Sequence, residues 1–309
     1  MKLPSVLIII ANYNSSAETD ACLSAIRETE DSGFAIRVVV IDNSDAESPY
    51  RHHDATVIRP GKNIGLGAAW TRGYLFADSI AADFCLFLNN DAVLDSRFFV
   101  EMKAGVEAYG ERTALGPRIV RTDDSGTVWS RGGEISVIRA SVSHFGGGLD
   151  DAALAVEDFE TGHLSGCSVF VPMGLLREIG GPDDRYFFHG EEWDLSHRLR
   201  QAGARLIIRD SAIVRHGVSR SHERLSPRIL YFAYRAKVLF AQKHQSSIWF
   251  PIWYGIGLTY AAILAPLKFA FWSREAGSLT AILSLQKALV RAFLDGVGLR
   301  KIEETDYRP

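Results

Sequence analysis

The apolar residues of this chain come in short, unbroken runs separated by polar clusters. Val6–Ala11 is one such run, rich in branched side chains, and "IRVVVIDNS" (Ile36–Ser44) is a second. Runs apolar at consecutive positions predict strands buried on both faces of a parallel sheet. Between them, Ala17–Ser32 predicts a helix that ends near Gly33. "ATVIR" (Ala55–Arg59) predicts a short third strand. "NIGLGAAWTRGYLFADSIA" predicts a helix entered from a Gly-rich turn, and "DFCLFL" a fourth strand. This alternation implies an α/β fold on a mostly parallel sheet. Asp95–Tyr109 predicts a helix opening at its Asp-Ser pair. Leu115–Asp150 predicts a loop-and-strand insertion, and "GCSVFVP" a further strand. "GEEWDLSHRLRQAG" predicts a helix stopped by Gly203, and "RLIIRDSAIVRH" supplies one or two closing strands. From Ser226 onward the pattern is helical.

The tail changes character. Ile248–Leu267 contains no charged residue and has about the length that spans a bilayer. Pro251, Gly255, Gly257 and Pro266 interrupt it, while Trp249, Trp253, Trp272 and Lys268 have the character of interface anchors. The preceding "YFAYRAKVLFAQKH" is basic, which suits an anionic leaflet. A single crossing would place Lys287, Arg291, Arg300 and Lys301 outside, against the positive-inside tendency. Ile282, Leu285, Leu289 and Phe293 then line one face of an amphipathic helix. The expectation is peripheral, monotopic or re-entrant attachment of residues 248–298 to the cytoplasmic face of a membrane. At the other end, "MKLPSVLIIIANYN" reads as a first buried strand rather than a signal peptide.

Composition narrows the class. Of 309 residues, 47% are hydrophobic and 23% charged, so a sizeable core is expected and disorder is not. A net charge of −3 gives no reason to expect nucleic acid as a partner. Cys22, Cys85 and Cys167 form neither a metal spacing nor a disulfide framework, which fits a reducing compartment.

In an open α/β sheet, ligands sit at the carboxyl ends of the strands. The first run ends in Asn12, Tyr13 and Asn14, and the second in Asp42, Asn43 and Ser44. The third leads to Gly61, Lys62, Asn63 and Gly65, and the fourth ends in Asn89, Asn90 and Asp91. One such ending is an ordinary turn signal; four in succession at one edge point to a site. "GLGAAW" is no dinucleotide fingerprint, because Trp70 stands where a third Gly or Ala belongs. Gly61–Lys62 is no P-loop, because Asn63 follows it. Glu191, Glu192 and Asp194 crowd the start of a later helix, where the macrodipole favours negative charge. Three acids there exceed what a cap requires.

The stretches "NYN", "IDNSD", "GKNIGLGAAWTRGY", "LFLNNDAVLD", "LSGCSVFVPMGLLREIGGPDDRYFFHGEEWDLSHRLRQAG" and "VRHG" follow one another over residues 3–245. In order and spacing the chain resembles the family 2 glycosyltransferases of GT-A fold, especially their bacterial rhamnosyltransferase-like branch. The resemblance implies a Rossmann-like catalytic domain over residues 1–225, with a nucleotide-sugar half to about residue 115 and an acceptor half from about 116. A helical membrane-associating region, 226–309, would follow. It implies an inverting transfer from a dTDP- or UDP-sugar, rhamnose or a similar hexose. The acceptor would be a hydroxyl of a cell-envelope glycan or of a polyprenyl-diphosphate-linked precursor.

It also implies roles. Asp91 would hold Mg2+ or Mn2+, which needs only one or two carboxylates when a diphosphate fills other positions, and His216 would reach the metal or diphosphate. Asn89, in place of a more familiar first acid, would be a neutral contact, with Asn90 beside it. Asp42 would accept from N3–H of uracil or thymine. Asn12, Tyr13, Asn14, Asn43, Asn63 and Gly65 would complete the nucleotide-sugar site. Arg220, with Arg215 and Arg224, would close over the diphosphate. Glu192 would be the base, with Asp194 and Glu191 as alternatives, since the family's usual Asp is here a Glu. Gly166, Trp129 and His163 would shape the acceptor or sugar pocket. The rival readings are a catalytically inactive nucleotide-binding scaffold of a glycan assembly complex and a nucleotidyltransferase. "NYNSSAETD" lacks the Gly- and Arg/Lys-rich signature the second requires.

Overall fold

The computed structural model describes residues 3–45, 47, 49–52, 54–123, 125–217, 226–272 and 279–298, with the side chains of 270–272 and 279 outside that description. Strands β1 (Ser5–Asn12), β2 (Ala35–Asp42), β3 (Thr56–Ile58) and β4 (Phe84–Asn89) alternate with helices α1 (Ser16–Arg27) and α2 (Leu66–Ser79). They pair in parallel in the order β4-β1-β2-β3. The reason lies in β1. Leu7 and Ile9 enter one core with Trp70, Ala69 and Tyr74 of α2, while Val6, Ile8 and Ile10 enter a second with Cys22, Leu23 and Ile26 of α1. Side chains two apart share a face, so an apolar residue at every position is a sheet covered on both sides. Each fully buried Leu or Ile contributes about 1.5–3 kcal/mol of transfer free energy.

After β4 the chain makes β5 (Ala92–Leu94) and α3 (Phe98–Tyr109), which begins three residues later than the Asp-Ser signal suggested. Phe98, Phe99 and Met102 of α3 close the α1 face. The expected insertion opens with a full core strand, β6 (Thr113–Arg121), followed by β7 (Val128–Ser130) and a hairpin of β8 (Gly133–Ser136) and β9 (Ser141–His144). β10 (Phe159–Glu160), β11 (Ser168–Pro172), α4 (Met173–Ile179), α5 (Glu191–Gln201) and β12 (Arg205–His216) complete the body around the main sheet. The main sheet runs β10-β12-β6-β11-β4-β1-β2-β3. β11 is antiparallel to both β4 and β6, and β12 is parallel to β6.

β12 is interrupted by a register shift between Arg209 and Ile213. Asp210 in that bulge is fully buried. It takes ion pairs from Arg118 and from Arg131 at 2.7 Å, and the N–H of Glu157 at 3.1 Å. Burial pushes its pKa up, but these bonds outweigh it and hold the carboxyl below its ordinary value. β5 then lies antiparallel to the last turn of β12, with Ala92 opposite His216.

Helix α6 (Pro227–His244) lies against this body. Phe232 stacks on Phe187 at 4.6 Å between centroids. The buried Asp194 of α5 takes Arg198 at 2.6 Å, Lys243 at 2.7 Å and His244 at 2.7 Å. Burial alone would raise the Asp194 pKa; its hydrogen bond with His244 and the Arg198 and Lys243 charges bring it down to about 2. Lys243 also reaches Asp183 at 2.7 Å. The boundary expected at residue 225 lies outside the described residues, and the helix that begins at Pro227 packs on the body formed by the main sheet. α7 (Trp249–Thr259), a π-helical turn (Tyr260–Leu264) and α8 (Ala265–Trp272) follow. Trp249–Phe269 is a 21-residue apolar run long enough to cross a membrane by length and composition. One side packs on α9 (Leu279–Gly296), through Leu285, Leu289 and Phe293. Ile248 (77% exposed), Ile256 and Leu267 (68%) face outward.

Asp194→Asn should remove the charge that three neighbours share and leave Lys243 and Arg198 underpaired. The expected loss is on the order of 3 kcal/mol in urea unfolding. A loss under about 1 kcal/mol would show that the cluster does not hold α6 in place.

Candidate active site

The parallel register sets Asn12 beside Asp42, and Ala11 beside Asn89. These strand ends form a closed polar network. Asn12 donates to Asp42 Oδ1 and to Ser44 Oγ, both at 3.0 Å, and accepts from Thr19 Oγ1 at 3.0 Å. Asp42 is buried, and the N–H groups of Ser44 (3.2 Å) and Tyr50 (2.9 Å) also point at its oxygens. Burial would raise its pKa, but these hydrogen bonds hold it below the ordinary value. Arg59, 39% exposed, completes the shell at 3.1 Å. Each Asp42 oxygen therefore takes two partners, and among the described residues Arg59 is the most exposed of the four.

The other expected contacts divide. Tyr13 and Asn14 are exposed; Asn14 holds a left-handed φ of 51° and donates through its side chain to Asp45 at 2.9 Å. Asn43 is buried and donates to Gly65 O at 3.3 Å, while its Oδ1 has no partner among the described residues. Asn63 accepts from Gly65 N–H at 3.0 Å. Gly65 has a packing reason for being glycine. Its φ is +81°, and a Cβ would lie 2.4 Å from Phe187 O, the atom that accepts from Leu66 N–H at 2.7 Å. Asn90 turns inward and donates to Thr19 Oγ1 at 3.1 Å, tying the end of β4 to α1. Arg220 and Arg224 lie outside the described residues, as do Arg300 and Lys301.

Asp91 follows directly, 27% exposed at its side chain. The β5–β12 pairing brings His216 to it, with Nε2 at 3.1 Å from Asp91 Oδ1 and 3.3 Å from Asn89 Nδ2. That nitrogen cannot serve both: protonated it donates to Asp91, unprotonated it accepts from Asn89. His216 Nδ1 is buried and has no partner among the described residues. The ring is instead held edge-to-face against Trp129 at 4.9 Å.

No cluster of three or more His, Cys, Asp or Glu that could hold a metal occurs among the described residues. The pair that does exist fits a divalent ion shared with a diphosphate. Two ligand atoms about 3 Å apart match neighbouring positions of an octahedral ion with bonds of about 2.0–2.1 Å.

The second acidic group splits by environment. Glu191 is buried, and Glu192 retains some exposure although its Oε2 is enclosed. Glu192 fits because Gly166 has no side chain: a Cβ there would stand 3.3 Å from Glu192 Cβ. Burial pushes both carboxyls above their ordinary range. Glu191 is raised further by the Glu192 charge and by the hydrogen bond it gives to Glu192. That bond and the N–H groups at the start of α5 favour Glu192 as the carboxylate. Asp194, an alternative base by sequence, is taken up by Arg198, Lys243 and His244. These contacts join α5 to α6.

Solved structures share this architecture. GalNAc-T7, solved with UDP, GalNAc and Mn2+, aligns with a TM-score of 0.61 at 12% identity over 96% of this chain and 56% of that one. S. aureus TarS, residues 1–349, aligns with a TM-score of 0.54 at 13% identity over 96% of this chain and 81% of that one. The mannosyltransferase PcManGT from Pyrobaculum calidifontis, in complex with GDP-Man and Mn2+, aligns with a TM-score of 0.53 at 16% identity, over 95% and 87%. The fold they share is GT-A, and this chain spans little more than half the length of the first of them. The chain itself belongs to glycosyl transferase family 2, whose family model matches residues 7–179. Among curated proteins, none matches it.

The glutamate pair makes stability depend on pH. Its folded pKa values lie above those of the unfolded chain, so the folded state binds more protons. The pair's contribution is complete below the ordinary value of about 4.3 and is lost as pH rises through the raised values. Glu191→Gln removes the larger part of that proton demand. Its unfolding free energy in urea should fall less between pH 5 and pH 8 than the wild type's; an equal fall would mean that the pair is not sharing a proton.

Proposed function

We propose that this protein is an inverting, metal-dependent glycosyltransferase of the rhamnosyltransferase-like branch. It transfers rhamnose or a similar hexose from a dTDP- or UDP-sugar to a hydroxyl of a cell-envelope glycan or polyprenyl-diphosphate-linked precursor. The observation that carries this reading is the division of the acids. One, Asp91, stands at the sheet edge with His216 at 3.1 Å, while two enclosed glutamates sit at the start of α5 with raised pKa values. Two structural neighbours were solved with Mn2+, one beside UDP and one beside GDP-Man, which supports a divalent ion and a nucleotide-sugar.

In this reading Glu192 takes the proton of the acceptor hydroxyl while the oxygen attacks C1 from the face opposite the leaving group. The acceptor O–C1 bond forms and the bond from C1 to the diphosphate oxygen breaks. Glu191 keeps Glu192 in its ionised form and in place. Asp91 and His216 hold the diphosphate end, where a bound Mg2+ or Mn2+ would offset the charge of the departing group. Asp42 lies at the nucleotide end, with Arg59 as the residue that must yield to the base. The outward apolar side chains of α7 and α8 rest in the cytoplasmic leaflet of the membrane, as a peripheral or monotopic contact.

Nucleotide release from a panel of dTDP- and UDP-sugars, with and without Mn2+ and a lipid-linked acceptor, tests the reading. Glu192→Gln should lower transfer at least about 100-fold with UDP or dTDP affinity retained. Asp91→Ala should weaken Mn2+-dependent nucleotide binding. Full transfer by either variant in folded form would overturn the assignment. Replacing Ile252 and Ile256 together by Asp should abolish co-sedimentation with vesicles containing anionic lipid; retained binding would place the membrane contact elsewhere.

A further inference from the structure

We propose that Trp129 and His144 form the wall against which the sugar ring of the donor packs, an inference that rests on the glycosyltransferase reading above. Four rings run in a row from the diphosphate end of the site. Trp129, on β7, meets His216 edge-to-face at 4.9 Å. His144, at the end of β9, follows Trp129 at 6.1 Å, and His163 meets His144 edge-to-face at 5.5 Å. His163 precedes the Ser165–Gly166 turn, whose glycine lies against Glu192. The row therefore begins at the group that holds the diphosphate and ends beside the segment that accommodates the base. The pyranose of a nucleotide-sugar is bonded directly to the second phosphate. With that phosphate at Asp91 and His216, the next atoms fall about one ring width away, at Trp129.

The chemistry of the row matches a sugar rather than a phosphate. Trp129 is partly exposed and His144 exposed, so a flat aromatic surface is available to the C–H face of a pyranose. His216 Nδ1, at the diphosphate end of the row, has no hydrogen-bond partner among the described residues. Unpaired buried polar atoms are rare in folded proteins. Burial and the neighbouring His144 push the His163 pKa down to about 3. That imidazole stays neutral and, fully buried, backs His144 from behind the row.

The test separates the sugar from the nucleotide. Calorimetric titration of the Mn2+-loaded protein compares the free nucleoside diphosphate with its sugar conjugate. The pair is UDP and UDP-glucose, or dTDP and dTDP-rhamnose, according to which conjugate turns over. In Trp129→Phe and His144→Ala the affinity for the free diphosphate should stay within about twofold, while the Kd ratio of sugar conjugate to diphosphate should rise about 3- to 10-fold. An unchanged ratio overturns the proposal. So does an equal loss for both ligands, which would leave Trp129 only the task of steadying His216. Absence of any nucleotide binding by the wild type would instead strike the glycosyltransferase reading on which the proposal rests.

Discussion

The site depends on how strand β12 is seated. It is the longest strand of the sheet, paired with β6 along one edge and with β10 and then β5 along the other. A strand slipped by one residue exchanges its two faces, so a slip would turn His216 away from Asp91. The bulge between Arg209 and Ile213 fixes the register, and the buried Asp210 fixes the bulge. Removing either arginine would leave that carboxylate short of the bonds that offset its burial. The same carboxylate takes the N–H of Glu157, so the insertion that carries Trp129 is drawn to the same point. One buried acid thus sets both the histidine and the aromatic surface beside it.

Much of the frame was legible in the sequence because its signals are local. β1, β2 and β4 are apolar at nearly every position, and only a sheet covered on both faces explains that. The Asn, Asp and Gly residues at their ends lie together at one edge of the sheet. β5 was not legible: three residues carry no periodicity, and this strand exists only because β12 lies beside it. α4 was missed for a related reason. "VPMGLLREI" continues an apolar run, and the helix starts where Pro172 ends the strand, with no capping residue to announce it. β6 was read as part of a loop-rich insertion because the Gly-rich hairpin after it dominates the composition of that segment.

Within the candidate site, the sequence places polar residues at one edge but does not show which partners they take. Asn12 and Asn90 stand at the predicted edge, yet their amides bond to Asp42, Ser44 and Thr19. They build the floor of the site. Gly65 follows a turn, as its neighbours suggested, but the need for glycine comes from Phe187, more than a hundred residues later. Asp194 shows the limit most plainly. Its spacing from Glu191 and Glu192 marks it as one of a catalytic set, and only the fold brings Lys243 and His244 to it. Polar side chains are ambiguous in sequence because their role is set by the partner, and the partner is set by tertiary contact.

Three acids within four residues of α5 are therefore shifted in opposite directions, Asp194 down and the two glutamates up, and environment alone separates them. Asp194 faces Arg198 and the end of α6, where cations outweigh burial and keep it charged. Glu191 and Glu192 sit by the first backbone N–H groups of the helix with each other as neighbour, and burial raises both. A carboxylate that is to accept a proton needs the second environment, and a helix that is to stay in place needs the first. The two requirements meet on one helix. The position of Glu192 relative to Gly166 is then fixed by an ion cluster across α5 from it, and that cluster belongs to the helix that leads into the apolar arm. The seating of Glu192 and the attachment of the arm are consequences of the same contact.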